Sequence, residues 1–442
     1  MSRLARFALA LLVITGVVAC ARAPAPTPQA AAVPSRHVLP NGVRVVIEEH
    51  RRSDVVALQL WVQAGARDEI PSELGLAHYL EHLLFKGTPI RPPGFIDREV
   101  EGVGGRMNAA TSFDYTYYSM LLPASRVVSG IETLADISVN ASLDPDLLER
   151  EKHIVLEELR LSQDNPRRFL GRQLYRVAFD GHAYGRPIIG TTELIRGLTR
   201  DQLLRFYRRH YVPEAFTLVV VGAVDPKQVL VAATRTFGSL TRTGGGRLPP
   251  RSTGERRPRH LELNRPGSHA YLGLSWPAPK IDHADTPAVD LLVGILGQGR
   301  SSRLTRSLRE RLGLVNTIGM AYSALEGAGI VSLTAQLEPE HLARAEAQIW
   351  DEIQRVHETG VTPAELERAL TAEEARREFQ KETAEGRAAA LGHAITIWKL
   401  EEEEAYLHRL RAVTREHVRT AARHYLDSAR FARVVFRPQE RP

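Results

Sequence analysis

Residues 75–88 read Gly-Leu-Ala-His-Tyr-Leu-Glu-His-Leu-Leu-Phe-Lys-Gly-Thr and predict the helix around which the chain is organised. Apolar residues dominate the stretch, no proline interrupts it, and Gly87 is typical of a helix end. Side chains three or four positions apart lie on the same face of a helix. Here that face carries His78, Glu81, His82 and Phe85. The leucines on the other sides predict a helix that is buried nearly all round.

The spacing of the two histidines suits a zinc ion. Two imidazoles one helical turn apart can both bind the metal at about 2.0–2.1 Å. Glu81 between them can act as a general base on a water molecule. The pattern His-x-x-Glu-His is the zincin motif in reverse order. The alternative is that both histidines are structural core residues. A candidate third ligand would favour zinc, because catalytic zinc usually has three protein ligands.

A second predicted helix, residues 146–160, supplies the candidate third ligand. Glu151 and Glu158 lie two turns apart on its predicted buried face, where a carboxylate is costly unless a cation compensates it. We therefore predict that Glu158 binds zinc and that Glu151 orients a ligand or its helix. The alternative places both carboxylates in salt bridges at the helix margin. The predicted buried face also contains Leu147, Leu148, Ile154, Val155 and Leu159, and the solvated face Glu149, Arg150, Lys152, His153, Glu157 and Arg160.

These motifs resemble those of the pitrilysin and insulinase-like zinc metallopeptidases, in particular the branch that contains the mitochondrial processing peptidase and its bacterial relatives. The resemblance extends over the mature chain and includes residues 104–111, 182–187 and 207–213. It implies Zn²⁺ ligands His78, His82 and Glu158, with Glu81 as base. It also implies an α+β fold of two homologous domains, each a mainly antiparallel sheet packed with helices, that form a clamshell around a cavity.

The second half of the chain repeats the first, since residues 413–425 echo residues 198–211 with a one-residue gap. In this repeat Ala369 stands at the position of Glu151 and Arg376 at that of Glu158. The second half therefore has no predicted metal site. Three glycines, two prolines and many arginines predict an exposed, mobile linker between the halves. The predicted order is a zinc-bearing domain over 36–240, a linker over 241–259 and a metal-free domain over 260–442.

The resemblance also implies where a substrate binds. Residues 108–112 precede a predicted strand, and in the family this segment is an edge strand that pairs with the backbone of the peptide beside the zinc. A plain structural hairpin is the alternative. We predict Asn108, Ala109 and Phe85 as substrate contacts.

One position departs from the family pattern. Active members often carry an arginine and a tyrosine seven residues apart in the metal-free domain, where they hold the substrate. Arg309 is present, but Asn316 stands at the tyrosine position. Arg309 is thus a substrate contact or a surface salt-bridge residue. Some bacterial relatives place the zinc motif and the Arg/Tyr pair in different subunits, so we predict a heterodimer with a homologous subunit, or otherwise a homodimer.

The N-terminus predicts a lipoprotein signal peptide over residues 1–20. Arg3 and Arg6 precede a short apolar core, and residues 17–20 resemble a lipobox that ends in Cys20, the chain's only cysteine. Cys20 is the predicted lipidation site, with ordinary signal-peptide cleavage as the alternative. Residues 21–35, rich in Ala and Pro, predict a disordered tether. We therefore expect a lipid-anchored protein on the periplasmic side of a bacterial membrane, with the outer membrane favoured.

The composition is that of a globular protein. With 442 residues, 43% hydrophobic and 25% charged, the chain is not largely disordered. Its net charge of +6 is modest, and its basic residues are scattered among acidic ones, which is not typical of nucleic-acid binding. The predicted function is zinc-dependent endopeptidase activity on unfolded peptides in an interdomain cavity. The alternative is a non-catalytic peptide-binding or scaffold subunit of a membrane-associated complex.

Overall fold

The computed structural model describes residues 33–241, 247 and 259–439. The strands are β1 (Ser35–Val38), β2 (Arg44–Glu49), β3 (Val55–Val62), β4 (Arg106–Thr111), β5 (Thr116–Pro123), β6 (Phe216–Gly222), β7 (Arg259–Arg265), β8 (Ala270–Ala278), β9 (Thr317–Ala324), β10 (Gly329–Leu337) and β11 (Ala432–Pro438). The helices are α1 (Leu76–Leu84), α2 (Phe95–Glu101), α3 (Val127–Asn140), α4 (Pro145–Asp164), α5 (Pro166–Ala178), α6 (Thr192–Gly197), α7 (Arg200–His210), α8 (Pro226–Thr236), α9 (Thr286–Gly297), α10 (Leu342–Thr359), α11 (Pro363–Gln380), α12 (Ala384–Ile397), α13 (Leu400–Arg411) and α14 (Arg415–Tyr425). None of the described helices combines the length and the apolar character that a bilayer span requires.

The two sheets share one topology, as the internal repeat predicts. The first has the order β1-β2-β6-β3-β5-β4 and the second β7-β11-β8-β10-β9. If β1 is left out and the five strands of each sheet are numbered by their order along the chain, both sheets have the spatial order 1-5-2-4-3. In each, the first pair is parallel and the other pairs are antiparallel. The predicted α+β fold of two similar units, each a mainly antiparallel sheet packed with helices, is confirmed.

Each half of the chain covers a sheet of the other half. Helix α12 packs on β3 and β6 of the first sheet, and α5 packs on β8 and β11 of the second. The predicted boundary at 241–259 therefore separates the two sheets along the sequence, while the helices that cover them are exchanged in space. The side chains buried in these contacts are Trp61, Val219, Ala388 and Leu391 for α12, and Leu170, Leu174, Val434 and Phe436 for α5.

Glycines allow this close packing. A Cβ at Gly392 on α12 would lie 2.0 Å from Nε1 of Trp61, and one at Gly273 on β8 would lie 2.9 Å from Leu174. Polar contacts reinforce the exchange: buried Glu48 forms an ion pair with Arg387 on α12. The two halves are thus joined by both apolar and charged contacts.

Arg247, in the segment predicted to be an exposed linker, is largely buried. Its guanidinium bonds Asp68 at 3.1 Å, Glu326 at 2.7 Å and the carbonyl of Asp114 at 2.7 Å. Exposure was therefore wrongly predicted at this position, because carboxylates from both halves converge on the arginine. The rest of 242–258 lies outside the described residues.

Helix α4 presents a different face to the core than predicted. Ile154 is 51% exposed, whereas Lys152, predicted to be solvated, is buried. Ile154 shares a stripe with Glu158 and Leu161, and this stripe faces outward from the core formed by Leu148, Val155 and Leu159. The prediction that Ile154 is buried is therefore wrong. Its apolar side chain lies beside the candidate metal ligand Glu158, on the outward face of α4.

Asp290 on α9 gives the second half a pH-dependent contribution to stability. The hydroxyl of Tyr406 donates a hydrogen bond to its carboxylate. Burial raises the pKa of Asp290 to about 6, above the ordinary aspartate value of about 3.9. The native state therefore binds this proton more tightly than the unfolded chain. This group's contribution to stability is present below about pH 4 and is lost as the pH rises through about 6.

Asp290→Asn is expected to remove this loss, because asparagine accepts the Tyr406 hydrogen bond and carries no charge. The free energy of unfolding of the variant, relative to wild type, should rise by about 2 kcal/mol between about pH 4 and pH 7. Urea unfolding at several pH values measures it. A difference that does not vary with pH would contradict the assignment.

Candidate metal centre

Helix α1 begins after a constrained turn. Gly75 has φ 96°, and a Cβ there would lie 2.9 Å from the carbonyl oxygen of Ile189, so glycine is required. The buried carboxylate of Glu69 accepts hydrogen bonds from the backbone N–H groups of Gly75 at 3.0 Å and Ala77 at 2.8 Å. It satisfies donors that the first turn of a helix leaves free. The sequence analysis missed Glu69, because it lies outside the usual N-cap position.

The histidines of α1 and the carboxylate of Glu158 come together. One ligand atom from each of His78, His82 and Glu158 lies within 4.8 Å of the others. Both Nε2 atoms are 3.6 Å from Oε2 of Glu158. Tetrahedral ligands at about 2.1 Å from one ion would be about 3.4 Å apart, so the separations fit a zinc ion. Two imidazoles and one carboxylate form a donor set typical of catalytic zinc.

Glu158 is less buried than predicted. Its side chain is 46% exposed, while those of His78 and His82 are 12% and 20% exposed. The three groups therefore lie at an accessible face of the described chain, and a water or substrate can reach them.

Glu151 lies behind His82. Its Oε2 is 3.3 Å from Nδ1 of His82, and its Oε1 is 2.9 Å from Nζ of Lys86. A carboxylate on Nδ1 fixes the ring so that Nε2 is left to bind a metal. Nδ1 of His78 is buried and has no hydrogen-bond partner among the described residues. Among the described residues, a contact at Nδ1 therefore orients the ring of His82 but not that of His78.

Glu151→Gln should weaken zinc binding by about 10–100-fold, because the amide is a poorer acceptor for the imidazole N–H. Competition with a chromophoric chelator measures the affinity. Glu149→Gln is the control, since exposed Glu149 pairs with Lys152 on the same helix at 2.8 Å. Equal zinc affinities for the two variants would contradict the role of Glu151.

The ionisation of the three candidate ligands suits a metal. Burial and the neighbouring His82 lower the pKa of His78 to about 4, so this ring is neutral at pH 7. The imidazole of His82, with Nε2 3.6 Å from Oε2 of Glu158, lowers the pKa of Glu158, which is therefore ionised. Burial lowers the pKa of His82, but its interaction with Glu158, the charge of Glu81 and its hydrogen bond with Glu151 outweigh this and raise it overall. A proton thus competes with metal mainly at His82.

Glu81 is placed as a base. It points from the same face of α1, and Oγ1 of Thr111 donates a hydrogen bond to its Oε2 at 2.6 Å. Burial raises the pKa of this carboxyl, which strengthens it as a base. Thr111 was not predicted, because the contact joins α1 to the last residue of β4, 30 positions away.

Strand β4 is the edge strand predicted beside this group. It pairs with β5, packs against α1, and has no second strand partner within the described residues. Asn108 on β4 is exposed and Ala109 is half-buried. Half-buried Phe85 lies just after α1, with its ring 5.7 Å from that of Tyr118. The roles of Asn108, Ala109 and Phe85 as substrate contacts stay predictions.

Arg309 and Asn316 lie in the second half. Arg309, in a π-helical turn over Thr305–Arg311, is 47% exposed with its guanidinium 3.9 Å from Glu310. The Asn316 side chain donates to Glu338 at 3.3 Å. Among the described residues no contact joins either side chain to the His-His-Glu group.

Family comparison places these features in one class of proteins. Residues 44–192 match the insulinase family (peptidase family M16), and residues 197–373 match the peptidase M16 inactive domain. A relative in Mycobacterium tuberculosis is 32% identical over 423 residues, which cover 94% of this chain and 96% of the relative. The chain belongs to peptidase family M16.

The family's relatives and solved structures agree with the fold. The mycobacterial protein is named an "uncharacterized zinc protease", as is one in Streptomyces coelicolor that is 30% identical over 88% of this chain and 87% of its own. A protease from Helicobacter pylori has a TM-score of 0.88 at 24% identity and covers 92% of this chain and 100% of its own. The M16 inactive domain from Pseudomonas fluorescens has a TM-score of 0.85 at 20% identity, with coverages of 92% and 98%.

Proposed function

We propose that this M16 protein is a zinc-dependent endopeptidase. The observation that carries the proposal is the convergence of His78, His82 and Glu158 next to Glu81. These three residues would hold the ion. When bound, zinc supplies Lewis-acid chemistry, because it polarises a carbonyl group and makes water more acidic.

Glu81 performs the proton transfers in this proposal. Its carboxylate accepts a proton from the attacking water and passes a proton to the leaving amine. Thr111 keeps the carboxylate oriented through its 2.6 Å hydrogen bond. Glu151 holds the ring of His82 through Nδ1.

The substrate would be an extended peptide. The free edge of β4 offers backbone hydrogen bonds to an added strand, which explains binding with loose side-chain preference. Exposed apolar side chains at Ile154 and Leu161 flank Glu158 on α4 and offer contacts to apolar residues of the peptide. An unfolded peptide has the free backbone donors and acceptors that pairing with such an edge requires.

Hydrolysis of a quenched fluorescent peptide library by the chain beginning at Ala21 tests this proposal. The expected result is cleavage that a chelator abolishes and zinc restores. Absence of cleavage by zinc-loaded protein, alone and with homologous subunits that carry the Arg/Tyr pair, would contradict it.

A homologous partner subunit is part of the proposal. Asn316 is shorter than tyrosine and is already bonded to Glu338, so it is a weak substitute as a substrate contact. A partner with the Arg/Tyr pair would supply that contact, and its addition should raise kcat/KM. The same observation favours the second candidate, a non-catalytic peptide-binding or scaffold subunit, which would bind peptide without cleaving it.

We also propose a lipid anchor at Cys20 on the periplasmic side of the outer membrane. Cys20 lies outside the described residues, and the proposal rests on the signal-like sequence before it. Labelled palmitate should be incorporated into wild type and not into Cys20→Ala. Unlabelled wild type would contradict the anchor.

A further inference from the structure

Helix α5 carries an unusual concentration of unpaired positive charge. Its sequence contains four arginines and no acidic residue. Arg167 and Arg168 occupy its first turn, where the helix dipole disfavours cations. Among the described residues no carboxylate forms an ion pair with either guanidinium. Both side chains are exposed. Two arginines placed against the helix dipole, with no carboxylate in an ion pair with either of them, indicate a binding role.

Arg167 is held by neutral groups. Its Nη2 donates to Oε1 of Gln336 at 2.8 Å and approaches Oγ1 of Thr317 at 3.4 Å. These partners orient the guanidinium and leave its charge available. The arginine borders a cleft of about 210 Å³ along the second sheet, which is also lined by Leu170, Tyr271, Gly319 and Thr334.

The arginine pair lies near the cluster of His78, His82 and Glu158. Helix α4 continues six residues beyond Glu158, or about 9 Å, before α5 begins. Helix α5 packs against α4 and begins two residues after its end, which places Arg168 beside the helix that carries Glu158. A peptide held at the metal could extend to Arg168 and to the cleft beside Arg167.

We propose that Arg167 and Arg168 form a carboxylate-binding subsite that makes this protein prefer peptides with an acidic group on one side of the cleaved bond. This inference rests on the proposed peptidase function. A guanidinium binds a carboxylate through two parallel N–H···O bonds, and Arg167 is already oriented for this by Gln336. The carboxylate comes from a Glu or Asp side chain or from the peptide's C-terminus.

An anionic membrane is a poorer fit than a peptide. Arg167 lies at a cleft between α5 and the second sheet, and Arg168 lies beside the helix that carries Glu158. A lipid surface binds a broad basic face that points outward. Two arginines beside a cleft are instead sufficient to bind a single carboxylate.

Matched peptides test the subsite. One cleaved sequence is prepared with Glu or Gln at each position around the scissile bond, with a free or an amidated C-terminus. We expect one Glu position, or the free C-terminus, to raise kcat/KM about tenfold through KM. The preference should disappear in Arg167→Ala and in Arg168→Ala through a change in KM, and Arg168→Glu should favour the Gln peptide over the Glu peptide. Arg176→Ala is the control, because exposed Arg176 lies on the same helix and bonds Gln173.

Peptide binding to Glu81→Gln, measured by fluorescence anisotropy, separates this inference from catalysis. Tighter binding of the Glu peptide than the Gln peptide supports the subsite even if no peptide is hydrolysed. Loss of the effect on amidation assigns it to the C-terminal carboxylate, and persistence assigns it to the side chain. Equal Kd values, or a preference unchanged in both Arg167→Ala and Arg168→Ala, would overturn the proposal. The proposal would also be overturned if anionic phosphatidylglycerol vesicles displaced the bound peptide and unlabelled acidic peptides did not.

Discussion

Glu81→Gln is expected to lower kcat for peptide hydrolysis by about 10³-fold, within the range of 10²–10⁴ that general-base catalysis contributes. Glutamine has nearly the same shape and can still accept the hydrogen bond from Thr111, but it cannot take a proton from water. Because Glu81 is not among the three grouped ligands, zinc binding should persist. The comparison therefore separates loss of the base from loss of the metal.

Initial rates on one quenched peptide, with zinc content determined on the same samples, measure this effect. Glu157→Gln is the matched control: the same chemical change falls at an exposed residue beside Glu158, where Glu157 pairs with Arg160 at 2.7 Å. Retained activity in Glu81→Gln would refute the base assignment. Equal losses in both variants would show that the effect is not specific to Glu81.

Gly392→Leu is expected to reduce the free energy of unfolding by about 3 kcal/mol, the upper part of the range for overpacking a buried site. An added Cβ would lie 2.0 Å from Nε1 of Trp61, which itself donates to Gln59 at 2.9 Å within a buried contact. Trp61 can therefore move only by losing this bond and its packing on α12. Leucine has the better helix propensity, so a loss of stability isolates the steric effect.

Chemical unfolding followed by tryptophan fluorescence measures this stability. Gly171→Ala on α5 is the control, since a Cβ there meets no atom within 4 Å. It should stabilise the protein by about 0.5–1 kcal/mol through helix propensity. Unchanged stability in Gly392→Leu would contradict the close packing of α12 on the first sheet.

The grouping of His78, Glu81, His82 and Glu158 could be predicted because the first three are close in sequence and all four occur in a strong pattern. His78, Glu81 and His82 share one helix face, and the resemblance to the family selects Glu158 from the acidic residues of α4. The repeated topology was also predictable from a sequence pattern. Thr199 and Thr414, which correspond in the internal repeat, each cap a helix, one in each half of the chain.

Other features depend on contacts between segments that are distant in sequence. The exchange of α5 and α12 buries Trp61 and Leu174 against partners in the other half of the chain, and no local pattern specifies such partners. Arg247 is buried because Asp68 and Glu326 meet it from both halves. Ile154 was assigned to the core from its side chain alone, because hydrophobicity does not distinguish a core face from a binding face.

The most direct test of the central claim is a calorimetric titration of zinc into metal-free protein. We expect one zinc per chain for wild type and for Glu157→Gln, and a loss of at least about 100-fold in affinity for Glu158→Gln. That result would identify Glu158 as a ligand of the zinc ion. No saturable zinc binding by wild type, or equal affinities for Glu158→Gln and Glu157→Gln, would contradict it.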